Sequence, residues 1–155
     1  MNIIFLDIDG VLYTSSYYEF LVLNKKPSSD KNGYIFDPKA IENFNEIIEK
    51  TEAKIVISST WKRHGLDKIR KIFNERGIKG EIIGLTPTST IDDLFFCRGE
   101  EIEHWLSYNG LPEKFVVIDD QSLGEGYDKW KGFFKTKFKD GITNEIKNNI
   151  VDFLA

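Results

Sequence analysis

The residues from Ile3 to Gly10 constrain the fold most strongly, because an apolar run there ends in two aspartates and a glycine. Continuous apolar character over residues 3–6 predicts a buried β-strand. Asp7 and Asp9 are two positions apart, so their side chains point the same way if strand geometry continues through them. Carboxylates this close repel each other unless a cation or a shared proton compensates them. An acidic turn explains one aspartate more readily than two, and the run therefore predicts a cation-binding site at a strand end.

Strand patterns and helix patterns alternate along the rest of the chain. Strands are predicted at residues 2–6, 54–58, 81–85, 115–118 and 133–138, and helices after Asp37-Pro38, at about 66–76, at 99–108 and after Thr143. Asp37-Pro38 is typical of a helix start, with aspartate as the N-cap and proline in the first turn. The alternation predicts an α/β, Rossmann-like fold of three layers, a parallel five-stranded sheet with helices on both faces.

Polar side chains follow three of the predicted strands. In a parallel sheet, ligands bind beyond the carboxyl ends of the strands. Asp7 and Asp9 follow the first strand, Ser58 and Ser59 the second, and the pair Asp119-Asp120 the fourth. The serines are either helix caps or hydrogen-bond donors to a phosphate at a helix N-terminus. The carboxylates predict a Mg²⁺ site, because that ion prefers hard oxygen ligands.

Arg98 precedes the paired acids and starts a predicted helix. It is either a surface residue or an inward-facing cation that offsets the carboxylates and binds a phosphoryl oxygen. Trp61, directly after the second polar group, is assigned either to core packing or to the wall of a substrate site.

Composition bounds the class of protein. The 155 residues suit one domain over 1–155, and the net charge of −4 argues against a broad electrostatic grip on nucleic acid or an anionic membrane. The single cysteine, Cys97, cannot form an internal disulfide, which is typical of a reducing compartment. No apolar stretch approaches the roughly 20 residues that span a bilayer, and the first residues lack a basic leader. We expect a cytoplasmic protein without a membrane partner. The sequence leaves the oligomeric state open.

The motifs resemble, in order, those of the haloacid dehalogenase (HAD) superfamily. Its first motif is a strand followed by D-x-D-G-[VT]-L, and residues 7–12 read Asp-Ile-Asp-Gly-Val-Leu. Its second motif, a strand ending in Ser or Thr, is matched by Ser58. For the third, a Lys or Arg, Arg98 is the candidate and Lys62 the alternative. The fourth, paired acids after a strand, is matched by Asp119-Asp120.

The resemblance implies a Mg²⁺-dependent phosphatase. It gives Asp7 the role of a nucleophile that becomes phosphorylated, and Asp9 the role of general acid and base. It implies that Mg²⁺ is held by Asp7, by the backbone carbonyl of Asp9 and by one of Asp119 and Asp120, with Asp120 favoured. The residues expected to bind the transferred phosphoryl group are Ser58, Ser59 and Arg98.

The segment 13–37 is the main insertion between the predicted elements, rich in aromatic residues and with Asn32-Gly33 as a turn signal. It predicts a small β-hairpin whose aromatics pack on the body, with a wall that stacks a base as the alternative. Neither this segment nor the connection 86–97 reaches the roughly 50 residues of a separate domain, so no large cap is expected. An open site favours a bulky or exposed phosphoester, including a macromolecular one.

Other classes remain beside a phosphatase of small or bulky esters. The run Ile57–Lys62, followed by Arg98–Ile102 and Trp105-Leu106, also resembles, more weakly, compact HAD domains grouped with RNA-repair proteins. This resemblance keeps a nucleic-acid end open as substrate, although the net charge does not favour it. A phosphotransferase, a nucleotidase and a non-catalytic phosphate-binding or scaffold module also stay open. A cysteine phosphatase does not fit, because Cys97 and Arg98 are adjacent instead of flanking a phosphate loop.

Overall fold

The computed structural model describes residues 1–88 and 97–155. The strands in these ranges are β1 (Asn2–Leu6), β2 (Ser29–Asp30), β3 (Gly33–Tyr34), β4 (Lys54–Ile57), β5 (Ile82–Leu85), β6 (Lys114–Asp119) and β7 (Phe133–Lys135). The α-helices are α1 (Ser15–Leu23), α2 (Pro38–Thr51), α3 (Leu66–Glu75), α4 (Arg98–Asn109) and α5 (Asn144–Leu154). Two short 3₁₀ helices cover Thr60–His64 and Tyr127–Lys129.

A parallel five-stranded sheet in the order β5-β4-β1-β6-β7 forms the centre of the fold. The central strand β1 is buried on both faces, which is why its sequence is continuously apolar. Its alternate residues face different helices. Ile4 and Leu6 join the cluster formed by α2, α3 and α5, whereas Ile3 and Phe5 join the cluster formed by α4. The predicted three-layer α/β architecture is therefore confirmed.

The register of the three central strands aligns their carboxyl ends. Leu6 of β1 pairs with Ile57 of β4 on one side and with Ile118 of β6 on the other. The next backbone hydrogen bonds run from Ser58 N to the Leu6 carbonyl (2.9 Å) and from Asp7 N to the Ile118 carbonyl (3.0 Å). Asp7, Ser58 and Asp119, which follow these paired residues, are consequently held at one level of the same sheet edge.

The segment 13–37 differs from its prediction. The expected hairpin is present only as the two-residue strands β2 and β3, with Asn32-Gly33 at the turn. The first half is wrong, because residues 15–23 form the helix α1, which Thr14 caps by accepting a hydrogen bond from Tyr17 N. The helix was missed because its apolar residues do not follow a helical period: only Leu21 is buried, whereas the helix exposes Tyr18, Phe20, Val22 and Leu23.

Smaller differences concern boundaries and the connection after β5. Strand β7 ends at Lys135 instead of residue 138, since the chain then turns, with Lys137 bridging to Gly141. The predicted connection 86–97 lies mostly outside the described residues. In the ranges that are described, there is no large cap over the sheet edge, and no helix is long and apolar enough to cross a membrane.

Candidate active site

Three carboxylates meet at the carboxyl edge of β1 and β6. Asp7, Asp119 and Asp120 each offer an oxygen, and these oxygens lie within 4.8 Å of one another. Asp7 and Asp119 are buried and Asp120 is half-buried. The geometry arises because Asp7 and Asp119 are level in two hydrogen-bonded strands, as the register requires. Of the four acids that the sequence predicts at the cation site, the structure brings these three together, whereas the Asp9 carboxylate is not part of the cluster.

Arg98 faces this cluster. Its Nη1 donates to Asp119 Oδ2 at 2.7 Å and lies 3.2 Å from Asp7 Oδ1. Burial acts to lower the pKa of Arg98, but the negative charges of Asp7 and Asp119 outweigh it and raise the pKa above its usual value. The guanidinium therefore stays charged and links the ends of β1 and β6. Of the two sequence interpretations, the inward-facing one describes Arg98.

The pKa of Asp7 is strongly shifted. Burial, followed by the charge of Asp119, raises the pKa of the Asp7 carboxyl to about 9, although Arg98 opposes the change. Burial likewise raises the pKa of Asp120. The cluster thus carries more negative charge than one guanidinium compensates, and it holds a proton at neutral pH unless a cation replaces it. Three hard oxygen donors and this charge excess fit Mg²⁺.

The two adjacent acids have different surroundings. Asp119 accepts hydrogen bonds from Arg98 and, at 3.0 Å, from Gln121 N. Asp120 instead lies over Gly10, whose φ of +79° and missing Cβ leave room for its carboxyl. Asp119 is therefore committed to the guanidinium and to the following turn, and Asp120 has the freer carboxyl for a cation.

The two serines after β4 differ in their hydrogen bonds. Ser59 accepts a hydrogen bond from Trp61 N at 3.2 Å and is the N-cap of the 3₁₀ helix Thr60–His64. The Ser58 hydroxyl is 1% exposed and has no hydrogen-bond partner among the described residues. A buried polar atom without a partner is costly, and one at a strand end level with Asp7 fits a hydroxyl that is completed by a ligand.

Lys62 makes no ion pair with Asp7, Asp119 or Asp120 among the described residues. Its ammonium group binds Glu101 at 2.6 Å, the Pro87 carbonyl at 2.8 Å and the Thr86 hydroxyl at 3.2 Å. The Lys62 side chain is only 9% exposed, so this ion pair is a structural contact between the 3₁₀ helix and α4. Of the two candidates for the third motif, Arg98 and not Lys62 contacts the acidic cluster.

Asp9 makes a contact that sequence reasoning missed. Trp61 Nε1 donates a hydrogen bond to Asp9 Oδ1 at 3.2 Å across 52 residues of sequence. The available signal was the position of Trp61 just after the second motif, at the same sheet edge. It does not specify where the indole points.

A cleft of about 670 Å³ opens beside the cluster. The residues that line it are mostly of polar type and include Ser59, Thr60, Lys62, Arg98, Asp119 and Gln121. The cleft adjoins the carboxylates on the side of Arg98, so a group held there is within reach of the acidic edge.

A sheet of this topology, with acids after β1 and β6 and a hydroxyl after β4, defines a HAD-type fold and site. The family model described as the HAD domain in Swiss Army Knife RNA repair proteins matches residues 3–146, and the chain belongs to this family of HAD-type hydrolases. Among solved structures, a haloacid dehalogenase-like family hydrolase from Streptococcus pneumoniae is similar, with a TM-score of 0.50 and 16% identity. The match covers 96% of this chain and 90% of that chain, and at this identity it shows the fold alone. No curated protein matches the chain.

Proposed function

We propose that the protein is a Mg²⁺-dependent phosphomonoester hydrolase that forms an aspartyl phosphate on Asp7. The observation that carries the proposal is the position of Asp7 between Arg98 and two further acids, within a family of HAD-type hydrolases. A buried carboxylate becomes an effective nucleophile once cations compensate its charge. The unpaired hydroxyl of Ser58 adds a donor for the phosphoryl oxygens.

In the first half-reaction, an Asp7 oxygen forms a bond to phosphorus while the bond from phosphorus to the leaving oxygen breaks. Asp9 gives a proton to the leaving oxygen. In the second, a water oxygen bonds to phosphorus, Asp9 takes the water proton, and the bond from phosphorus to Asp7 breaks. The sum is a phosphomonoester and water giving an alcohol and inorganic phosphate, with both aspartates restored.

Asp7, Asp120 and the backbone carbonyl of Asp9 are the groups proposed to hold Mg²⁺. The ion, when bound, offsets the negative charge of the carboxylate and of the phosphoryl oxygens. Asp119 serves in a different way, because it holds the guanidinium of Arg98 at 2.7 Å. Arg98 and Ser58 bind the transferred group, while Ser59 caps the 3₁₀ helix that follows.

The test is hydrolysis of an aryl phosphate with MgCl₂, comparing the native protein with Asp7→Asn. Metal-dependent release of phosphate that is lost in Asp7→Asn and on addition of EDTA, and restored by excess Mg²⁺, is the expected result. Full activity in a verified Asp7→Asn preparation would overturn the assignment of the nucleophile. If a panel of small and macromolecular phosphoesters gives no turnover, a non-catalytic phosphate-binding module becomes the better account.

We further infer that a phosphorylated RNA end is the macromolecular substrate to test first. The family to which the chain belongs is described as the HAD domain found in RNA repair proteins. Basic residues also gather on α3 and the β2–β3 turn, where Lys31, Lys68 and Lys71 line one pocket together with Asp67. Burial together with the charges of Lys68 and Arg63 lowers the pKa of His64 at the end of the neighbouring 3₁₀ helix. A local basic path can bind a phosphodiester backbone although the net charge of the chain is −4.

The experiment compares an RNA oligonucleotide bearing a terminal phosphate with the aryl phosphate over a range of salt concentrations. Backbone contacts predict a kcat/KM for RNA that falls as salt rises, with little change for the aryl phosphate. Lys68→Ala combined with Lys71→Ala should weaken the salt dependence for RNA. Equal salt dependence for the two substrates would contradict the nucleic-acid assignment and leave the hydrolase assignment intact.

A further inference from the structure

We propose that Trp61 is a positioning residue, which orients the carboxyl group of Asp9 for proton transfer to the leaving oxygen. The inference rests on the proposed function and adds a residue to the site. It begins from the hydrogen bond of 3.2 Å between Trp61 Nε1 and Asp9 Oδ1.

This hydrogen bond determines which part of the Asp9 carboxyl is available. In residues 1–88 and 97–155, the indole N–H is the only hydrogen-bond donor to that carboxyl. The terminal torsion of an aspartate is broad, so an unheld carboxyl samples many orientations. An indole N–H is only a donor, so Asp9 Oδ1 must accept its hydrogen bond. The proton that Asp9 gives to the leaving oxygen is then carried by Oδ2.

Trp61 is itself held rigidly. Its side chain packs in the core cluster of the sheet and the residue is 8% exposed. Its backbone N–H donates to the Ser59 hydroxyl, and its ring lies against the ring of Phe36 at 5.4 Å between centroids. On the outer side, Gly33 approaches so closely that a Cβ there would lie 3.1 Å from the indole.

The β2–β3 hairpin supports the indole from outside and is tied down by Arg76. The guanidinium of Arg76 donates to the carbonyls of Tyr34 (2.7 Å) and Gly33 (3.3 Å) and to Asp30 (2.9 Å). The same guanidinium lies 4.3 Å from the centroid of the Phe36 ring. The hairpin, Phe36 and Trp61 therefore form one packed stack that ends at Asp9. The Asp9 carboxyl, held by this stack, is already oriented before substrate binds, so little conformational entropy is lost at that step.

A general acid matters in proportion to the basicity of the leaving oxygen. An alkoxide needs a proton as it departs, whereas a nitrophenolate leaves without one. The test therefore measures kcat/KM for an alkyl phosphate and for 4-nitrophenyl phosphate. The parameter kcat/KM is chosen because it reports the first half-reaction, in which the leaving oxygen departs. Trp61→Phe keeps an aromatic ring and deletes the N–H. Trp105→Phe is the matched control, since Trp105 of α4 is equally buried but packs on Phe5 in the other core cluster, away from Asp9.

We expect Trp61→Phe to lower kcat/KM for the alkyl phosphate about tenfold, a part of the roughly 10²–10⁴-fold that general acid catalysis contributes. The value for 4-nitrophenyl phosphate should change by less than about threefold. In an Asp9→Asn background, Trp61→Phe should have no further effect on the alkyl substrate. Trp105→Phe should preserve the ratio between the two substrates.

An equal loss for both substrates, or an undiminished loss in the Asp9→Asn background, would overturn the positioning role. If Trp61→Phe does not fold, Phe36→Leu removes the ring on which the indole packs and should give the same selective loss, smaller in size. Equal losses in that variant would overturn the inference as well. Failure of the proposed function looks different, since the native protein would then hydrolyse neither substrate in the presence of Mg²⁺.

Discussion

Asp120 packs against Gly10 so closely that a Cβ at position 10 would lie 2.4 Å from both Cγ and Oδ2 of Asp120. The contact joins the glycine of the first motif to the second of the paired acids. A glycine is therefore required at position 10 for two reasons. The backbone there is left-handed, with φ of +79°, and the Asp120 carboxyl takes the space that a side chain would need. The position of Asp120 therefore depends on the absence of a side chain at Gly10.

Gly10→Ala should weaken Mg²⁺ binding by moving Asp120. Gly110→Ala is the control, because Gly110 has a similar φ of +85° but nothing within 4 Å of its would-be Cβ. Both variants should lose roughly 1–2 kcal/mol of unfolding free energy through backbone strain. The rise in thermal midpoint on adding MgCl₂ should shrink only in Gly10→Ala. An equal metal response in the two variants would remove Asp120 from the metal site.

Replacing Arg98 should damage catalysis more than replacing Lys62. Arg98→Gln removes the cation that touches Asp7, and loss of a preorganised electrostatic contact typically lowers kcat by about 10²–10³-fold. Lys62→Gln should change kcat by less than about tenfold. Steady-state kinetics on folded preparations decide the matter, and a reversed order would assign the third motif to Lys62.

Replacing Lys62 should lower the stability of the protein more than it lowers kcat. Its partner Glu101 is only 12% exposed, so Lys62→Gln leaves a largely buried carboxylate without its cation. Breaking such a pair costs up to roughly 3–5 kcal/mol of unfolding free energy. The double variant Lys62→Gln with Glu101→Gln should recover much of this loss in urea unfolding. No recovery would show that the ion pair is not the source of the loss.

The raised pKa of Asp7 predicts a pH-dependent stability in the metal-free protein. Between its ordinary value of 3.8 and its folded value of about 9, the folded state holds a proton that the unfolded state has lost. The free energy of unfolding therefore falls as pH rises through this window, by up to about 1.4 kcal/mol per pH unit for one proton. Above the folded pKa this decline ends.

Asp7→Asn removes that proton from the balance and serves as the comparison. In EDTA, the unfolding free energy of Asp7→Asn relative to the native protein should increase steadily from about pH 6 to about pH 8. Urea titrations of both proteins at several pH values measure the difference. Parallel curves would mean that Asp7 has no raised pKa in the folded protein.

The strands and their polar ends could be predicted because they depend on local patterns. The run ending at Leu6 and the run ending at Ile118 read as buried strands, and a parallel register then brings Asp7 and Asp119 together. The helix α1 could not be predicted in this way, since its apolar residues are mostly exposed and lack helical spacing.

Contacts between distant side chains required the structure. Arg98 had two interpretations from sequence, and only the packing of α4 against the sheet turns it toward Asp7 and Asp119. The hydrogen bond from Trp61 to Asp9 likewise depends on tertiary packing of the β2–β3 hairpin. Ser58 and Ser59 read alike in sequence, but one caps a helix and the other keeps an unpaired hydroxyl.

The central claim is that Asp7 becomes phosphorylated, and trapping of the intermediate tests it most directly. Turnover of a phosphoester with Mg²⁺ is quenched and the protein is treated with borohydride, which reduces an aspartyl phosphate to homoserine. Peptide mass spectrometry then locates the reduced residue. The account predicts homoserine at position 7 and its absence when substrate is omitted. Continued turnover with the reduced residue at another position, or with none, would contradict it.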